Sequence, residues 1–123
     1  MSDLAGGPQR FIDDMAKAGI EVRVDGARLT YEVLAVGGSL SGQLVPTGVS
    51  LSEVQNWPQI PPHWVHLPDT VTLEPTNCDV VDCPSGWRRH SREFQLTDTS
   101  VAPALVWIRH VRGLLSLAVS TAA

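Results

Sequence analysis

Two sulfhydryls, Cys78 and Cys83, stand close together in this chain, and a basic cluster of Arg88, Arg89, His90 and Arg92 follows them. A cysteine can serve as an acyl-accepting nucleophile, a metal ligand, half of a disulfide or an inert apolar filler. Nucleophilic use requires an accessible sulfur with some thiolate character. Arg88, Arg89 and His90 favour thiolate at either position, whereas Asp79 and Asp82 oppose it. Cys83 lies nearer the arginines, and the balance falls slightly to it. Zinc needs further ligands; His66 and His90 are the candidates, but they form no second close pair. A disulfide across so short a loop runs against a reducing compartment.

The neighbours of the thiols have chemistry of their own. Arg88, Arg89 and Arg92 can grip a carboxylate-ended tail or an acidic partner through forked hydrogen bonds, or simply neutralise Asp79, Asp82 and Glu93. His63 and His110 read as solvated residues. Upstream, Trp57-Pro58-Gln59-Ile60-Pro61-Pro62-His63-Trp64 forms a strap in which each proline fixes its own φ and restricts the residue before it. Trp57 and Trp64 are its anchors, and a tryptophan left exposed there marks a partner site.

These residues have to be held by regular elements. Phe11, Ile12, Met15 and Ala18 recur at helical spacing and predict a helix over Gln9 to Ala18, capped by Gly19, with Asp13 and Asp14 toward its positive end. From Ile20 the period changes to two. Ile20, Val22 and Val24 alternate with Glu21 and Arg23, Asp25-Gly26 signals a hairpin, and a second strand runs from Arg28 to Val36. A third strand is expected from Leu40 to Val45, closed by Pro46, and a fourth from Val65 to Leu73, interrupted by Pro68. Glu74 to Gly86 carries too many breakers for a regular element and reads as an irregular crossing segment. A long C-terminal helix is expected from Val101 to Val119, with Ser100 or Thr99 as cap and Pro103 in the first turn. The fold class is therefore α+β: an N-terminal helix, an antiparallel four-stranded meander, the crossing and the closing helix.

Length sets one domain over residues 1–123, with a flexible start at 1–7 and a frayed end at 120–123. The net charge of −4 argues against a nucleic-acid partner. No apolar run is long enough to cross a bilayer. The first residues lack the pattern of a secretory signal, so the expected compartment is cytoplasmic. Lys17 is the only lysine, a composition that limits self-modification in a protein handling activated acyl groups.

The order of elements, with prolines after the meander and cysteines before the last helix, resembles the ubiquitin-conjugating-enzyme (UBC) superfamily. Trp57-Pro58-Gln59-Ile60-Pro61-Pro62 is similar to that family's aromatic-Pro-x-x-Pro-Pro signature, and Ala102-Pro103-Ala104-Leu105 to the start of the helix after its active-site region. Gly86-Trp87-Arg88-Arg89-His90-Ser91-Arg92 and Trp107 look most like the divergent bacterial UBC-like proteins of prokaryotic family E. That group's motif ends Ser-Arg-His, whereas Ser91-Arg92 is followed here by Glu93 and the histidine stands ahead at His90. The superfamily's His-Pro-Asn tripeptide is absent; Glu74-Pro75-Thr76-Asn77 is the nearest stretch.

The resemblance implies a carrier that takes a ubiquitin-like modifier from an activating enzyme as a thioester on Cys83 or Cys78 and passes it to an amine. Asn77 would support the oxyanion, and His90 with the arginines would tune or dock the donor. A metalloprotease deconjugase of the same pathway is a further implied partner, and no cofactor is called for. The rival expectation keeps the fold without the chemistry: a UBC-like or RWD-like adaptor that binds the modifier or activating enzyme through the strap and the arginines.

Overall fold

The computed structural model describes residues 6–73, 77–91 and 100–119. Arg92, Thr99, Glu74, Pro75 and Thr76 lie outside them, as do the ends at 1–5 and 120–123. The chain forms α1 (Gly6–Lys17), β1 (Arg23–Asp25), β2 (Arg28–Leu34), β3 (Leu44–Ser50), β4 (Trp64–Pro68), β5 (Thr72–Leu73), β6 (Asn77–Asp79), β7 (Trp87–Ser91), α2 (Pro103–Leu115) and β8 (Ala118–Val119). Six strands make one antiparallel sheet in the order β1-β2-β3-β4-β7-β6. Strands β5 and β8 pair separately. The fold is α+β, but its sheet has six strands rather than the expected four.

Helix α1 begins at Gly6, earlier than expected, so the supposed flexible start is partly helical. Gly7 is required there: a Cβ would collide with the backbone carbonyls of Val54 and Gln55 in the turn beside the helix. Gly19, at φ 87°, ends the helix as anticipated. Its N–H bonds Ala16 O at 3.0 Å and Ile20 N–H reaches back to Met15 O at 2.9 Å, a left-handed cap of the type glycine permits. The early start leaves Asp13 and Asp14 in mid-helix. Asp14 accepts from the indole of Trp57 at 3.0 Å and pairs with Arg10 at 3.5 Å, so it anchors the strap to α1.

Strand β3 runs straight through Pro46, where the sequence was expected to stop it. Backbone groups of an antiparallel strand alternate between its two neighbours. Ala35 N–H bonds Gln43 O, so the odd residues of β2 face β3, and Pro46, opposite Glu32, turns its missing donor the other way. On that side the backbone pairing of β3 with β4 is the single pair Gly48 and His66. No ladder bond is lost.

Alternation also sorts the two faces. Leu29, Tyr31, Val33, Val49, Val65 and Leu67 point toward the helices and form one core with Phe11, Met15, Trp57, Trp107, Ile108, Val111, Leu114 and Leu115. The Trp57 ring meets Phe11 edge-on at 5.0 Å and Trp107 at 6.5 Å, and the Trp107 indole donates to Tyr31 Oη at 2.9 Å. Among the described residues, neither α1 nor α2 covers the opposite face. Helix α2 has Ala102 as its N-cap, rather than Ser100 or Thr99, and places Pro103 in its first turn. It ends at Leu115, short of Val119; Ala118 then enters β8, and its carbonyl accepts from Ser39 Oγ at 3.1 Å.

Candidate functional site

The segment expected to cross irregularly is a hairpin at the far edge of the sheet. Strands β6 and β7 pair Asn77 with Ser91, Cys78 with His90 and Asp79 with Arg89. Strand β7 pairs in turn with β4, setting Val65 opposite His90, His66 opposite Arg89 and Leu67 opposite Arg88. Directly opposed residues of an antiparallel pair share a face. The hairpin therefore divides the predicted site residues in two.

On the helix-bearing face stand Cys78, His90 and Arg88. Cys78 is an exposed free thiol. His90, across from it, is only 2% exposed, and burial, with a smaller contribution from Arg88, lowers its pKa, so the ring is neutral near pH 7. Cβ atoms of such cross-strand neighbours lie about 4.5–5.5 Å apart. The register thus makes Cys78 and the uncharged imidazole of His90 cross-strand neighbours on one face.

The other face carries Asn77, Asp79, Arg89 and Trp87. Arg89 Nε donates to Asp79 Oδ1 at 2.6 Å and Nη2 to Oδ2 at 3.3 Å, while Nη1 lies 3.8 Å from Asp82. Its guanidinium is stacked 4.0 Å from the Trp64 ring centroid. The forked hydrogen bond from Arg89 holds the Asp79 carboxyl below the usual carboxylate range. Asp79 Oδ1 also accepts from Val81 N–H at 2.9 Å, which braces the turn toward Cys83. Arg89 is thus committed to its own hairpin, while Arg88 is exposed.

Cys83 belongs to this second cluster and is half-buried. Burial is the largest influence and pushes its thiol up; Arg28 and Arg89 pull it down, and Asp79 and Asp82 push it up again. Of the arginines that favoured Cys83 in the sequence, Arg89 acts on it and is outweighed. Asn77 lies on the face opposite Cys78, so its side chain does not serve that sulfur.

Beneath the cluster lies a group that the sequence indicated only weakly. His66 is fully buried, with Arg28 Nη1 at 3.3 Å from Nδ1 and Ser50 Oγ at 3.4 Å from Nε2. Arginine only donates, so Nδ1 accepts and the ring proton sits on Nε2, which donates to Ser50. Burial and the cations of Arg28 and Arg89 lower the His66 pKa to about 4, against a smaller opposing pull from Asp82. Arg28 is itself 5% exposed and stacked 4.4 Å from the Trp87 ring centroid. His66, considered above as a zinc ligand, uses both nitrogens in this network. Among the described residues no three His, Cys, Asp or Glu side chains converge as a metal site.

The strap is fixed at both ends. Trp57, 3% exposed, is a core residue in this fold and is not presented to a partner. The Trp57–Pro58 peptide is cis. Glu53 accepts the backbone N–H groups of His63 at 3.3 Å and Trp64 at 3.2 Å, carrying the chain into β4. Trp64 keeps partial exposure but is occupied by Arg89.

No protein-family profile matches the chain, and no curated protein or solved structure matches it significantly.

Proposed function

We propose that this chain is a UBC-like component of a ubiquitin-like modification pathway, with Cys78 as the sulfur that carries the modifier. The observation supporting this reading is the cross-strand pair of exposed Cys78 and buried, neutral His90 at a sheet edge. The Cys78 thiolate attacks the thioester of the charged activating enzyme, whose own thiolate leaves. An amine then attacks the new thioester, the Cys78 thiolate departs, and in this reading the amine's proton passes to His90. The product is an amide that a metalloprotease deconjugase would reverse. Arg88, exposed beside the pair, is the cation available to the donor or to the activating enzyme.

A second reading has its own support. Asn77 is on the wrong face for Cys78, and Cys83 is held as a thiol by burial, so the helpers expected of a conjugating enzyme are dispersed. This favours a non-catalytic UBC-like or RWD-like adaptor that binds the modifier or activating enzyme. Incubation with modifier, activating enzyme and ATP separates the two. The carrier gives an adduct that a thiol reductant cleaves; the adaptor gives none although the activating enzyme is charged.

A further inference from the structure

Arg28 is clamped on three sides and open on a fourth. Its guanidinium lies against β3 at Gly48, where a Cβ would stand 3.3 Å from Nη1. Nη1 donates to His66 Nδ1 at 3.3 Å, and the guanidinium carbon sits 4.4 Å from the Trp87 ring centroid. The remaining edge carries Nε and Nη2, whose parallel N–H groups form the fork that grips both oxygens of a carboxylate. That fork is half used. Nη2 donates to Asp25 Oδ2 at 3.5 Å, and no described residue accepts from Nε.

The open edge belongs to a polar cleft. A cavity of about 830 Å³ wraps around the outer end of the sheet, and on the face that α1 and α2 leave uncovered it is lined by Asp25, Arg28, Thr30, Glu32, Ser85 and Trp87. Arg28 is at its floor, only 5% exposed. A buried cation calls for a closely bonded anion. Arg28 has instead one carboxylate oxygen at the limit of hydrogen-bond distance, on a side chain that is 66% exposed. His66 supplies no charge, since its ring is neutral near pH 7. Asp25 thus acts as a weak internal ligand, and it shows that a carboxylate reaches Nη2 from the cleft side. The lining as a whole sets Arg23, Arg28 and Arg112 against Glu21, Asp25 and Glu32. Such a balanced wall accepts a single negative charge at the arginine fork and gives a polyanion no net attraction.

We infer that the cleft binds a small organic monocarboxylate, whose two oxygens take Nε and Nη2 of Arg28 while Asp25 swings out to solvent. Pro46 and Pro84 offer apolar contact to the body of the ligand. The site is on the face opposite Cys78, and its occupancy is read without any thioester chemistry.

The probe is benzoate, with benzamide as its neutral counterpart, titrated at pH 7 and constant ionic strength into the ¹⁵N-labelled chain. Benzoate is expected to shift the Arg28 Nε–H signal saturably, with a Kd of about 1–10 mM, and benzamide to leave it in place. Asp25→Asn removes the internal competitor and tightens benzoate binding by about three- to tenfold, because the fork is then vacant in a larger share of molecules. Both chains keep Arg28, and the substituted side chain is exposed, so the comparison does not depend on a disrupted core. An Nε–H shift that fails to saturate, an equal response to benzamide, or an Asp25→Asn chain that binds benzoate no more tightly than the wild type overturns the proposal.

Discussion

At the scale of single residues, burial separates the two sulfurs more clearly than sequence position does. Cys78 is exposed, across from the neutral imidazole of His90; Cys83 is half-buried, and burial with Asp79 and Asp82 outweighs the pull of Arg28 and Arg89. His90→Gln is expected to leave charging intact and to slow discharge to free lysine by about 10²–10⁴-fold, the usual contribution of a positioned base. Single-turnover discharge checks it, with an unchanged unfolding midpoint as the control for folding. His66 gives a prediction about stability. Its folded pKa of about 4 lies below the ordinary value of 6.5, so the unfolded chain binds the proton more readily. Its contribution is complete above pH 6.5 and is lost as pH falls from there through about 4, up to about 3 kcal/mol at 1.36 kcal/mol per unit. Arg28, Arg89, Asp82 and Ser50 surround the ring, and the two arginines make its protonation costly. Denaturant titrations at pH 7 and pH 4.5 should differ in this direction, and His66→Asn should flatten the difference.

At the scale of elements, the sequence was informative where alternation or helical spacing involved apolar side chains. Phe11, Met15 and Gly19 located α1, and Asp25-Gly26 located the first hairpin. Strand β7 was missed because Trp87, Arg88, Arg89, His90 and Ser91 show no apolar alternation. Its open face is satisfied by Arg89 on Trp64 and Arg28 on Trp87, contacts between residues distant in the chain that no local pattern reveals. Pro46 misled for a related reason: whether a proline breaks a strand depends on which neighbour its nitrogen faces. Gly7 was read as a flexible lead and is a packing residue. Gly7→Ala should lower stability by about 1–3 kcal/mol, since backbone carbonyls must move to admit the methyl group, and thermal or chemical unfolding measures it.

At the scale of the whole molecule, one sheet has a helix-covered face and a polar face, and its two edges differ. The β6 edge carries the exposed thiol, and β1 borders β2 at the other end of the sheet. Three residues legible as chemistry were separated by folding: Asn77 from Cys78 by strand alternation, and Cys83 from Cys78 by the hairpin turn. A pairing that sequence proximity did not single out, Cys78 with His90, follows from register alone. The central claim is that this pair, and not Cys83, handles the acyl group. Its most direct test is peptide mapping by mass spectrometry, without reductant, of the chain charged by its activating enzyme and ATP. The account predicts the modifier's C-terminal fragment in thioester linkage to Cys78, retained in Cys83→Ala and lost in Cys78→Ala. A fragment on Cys83, or an uncharged chain beside a fully charged activating enzyme, contradicts it.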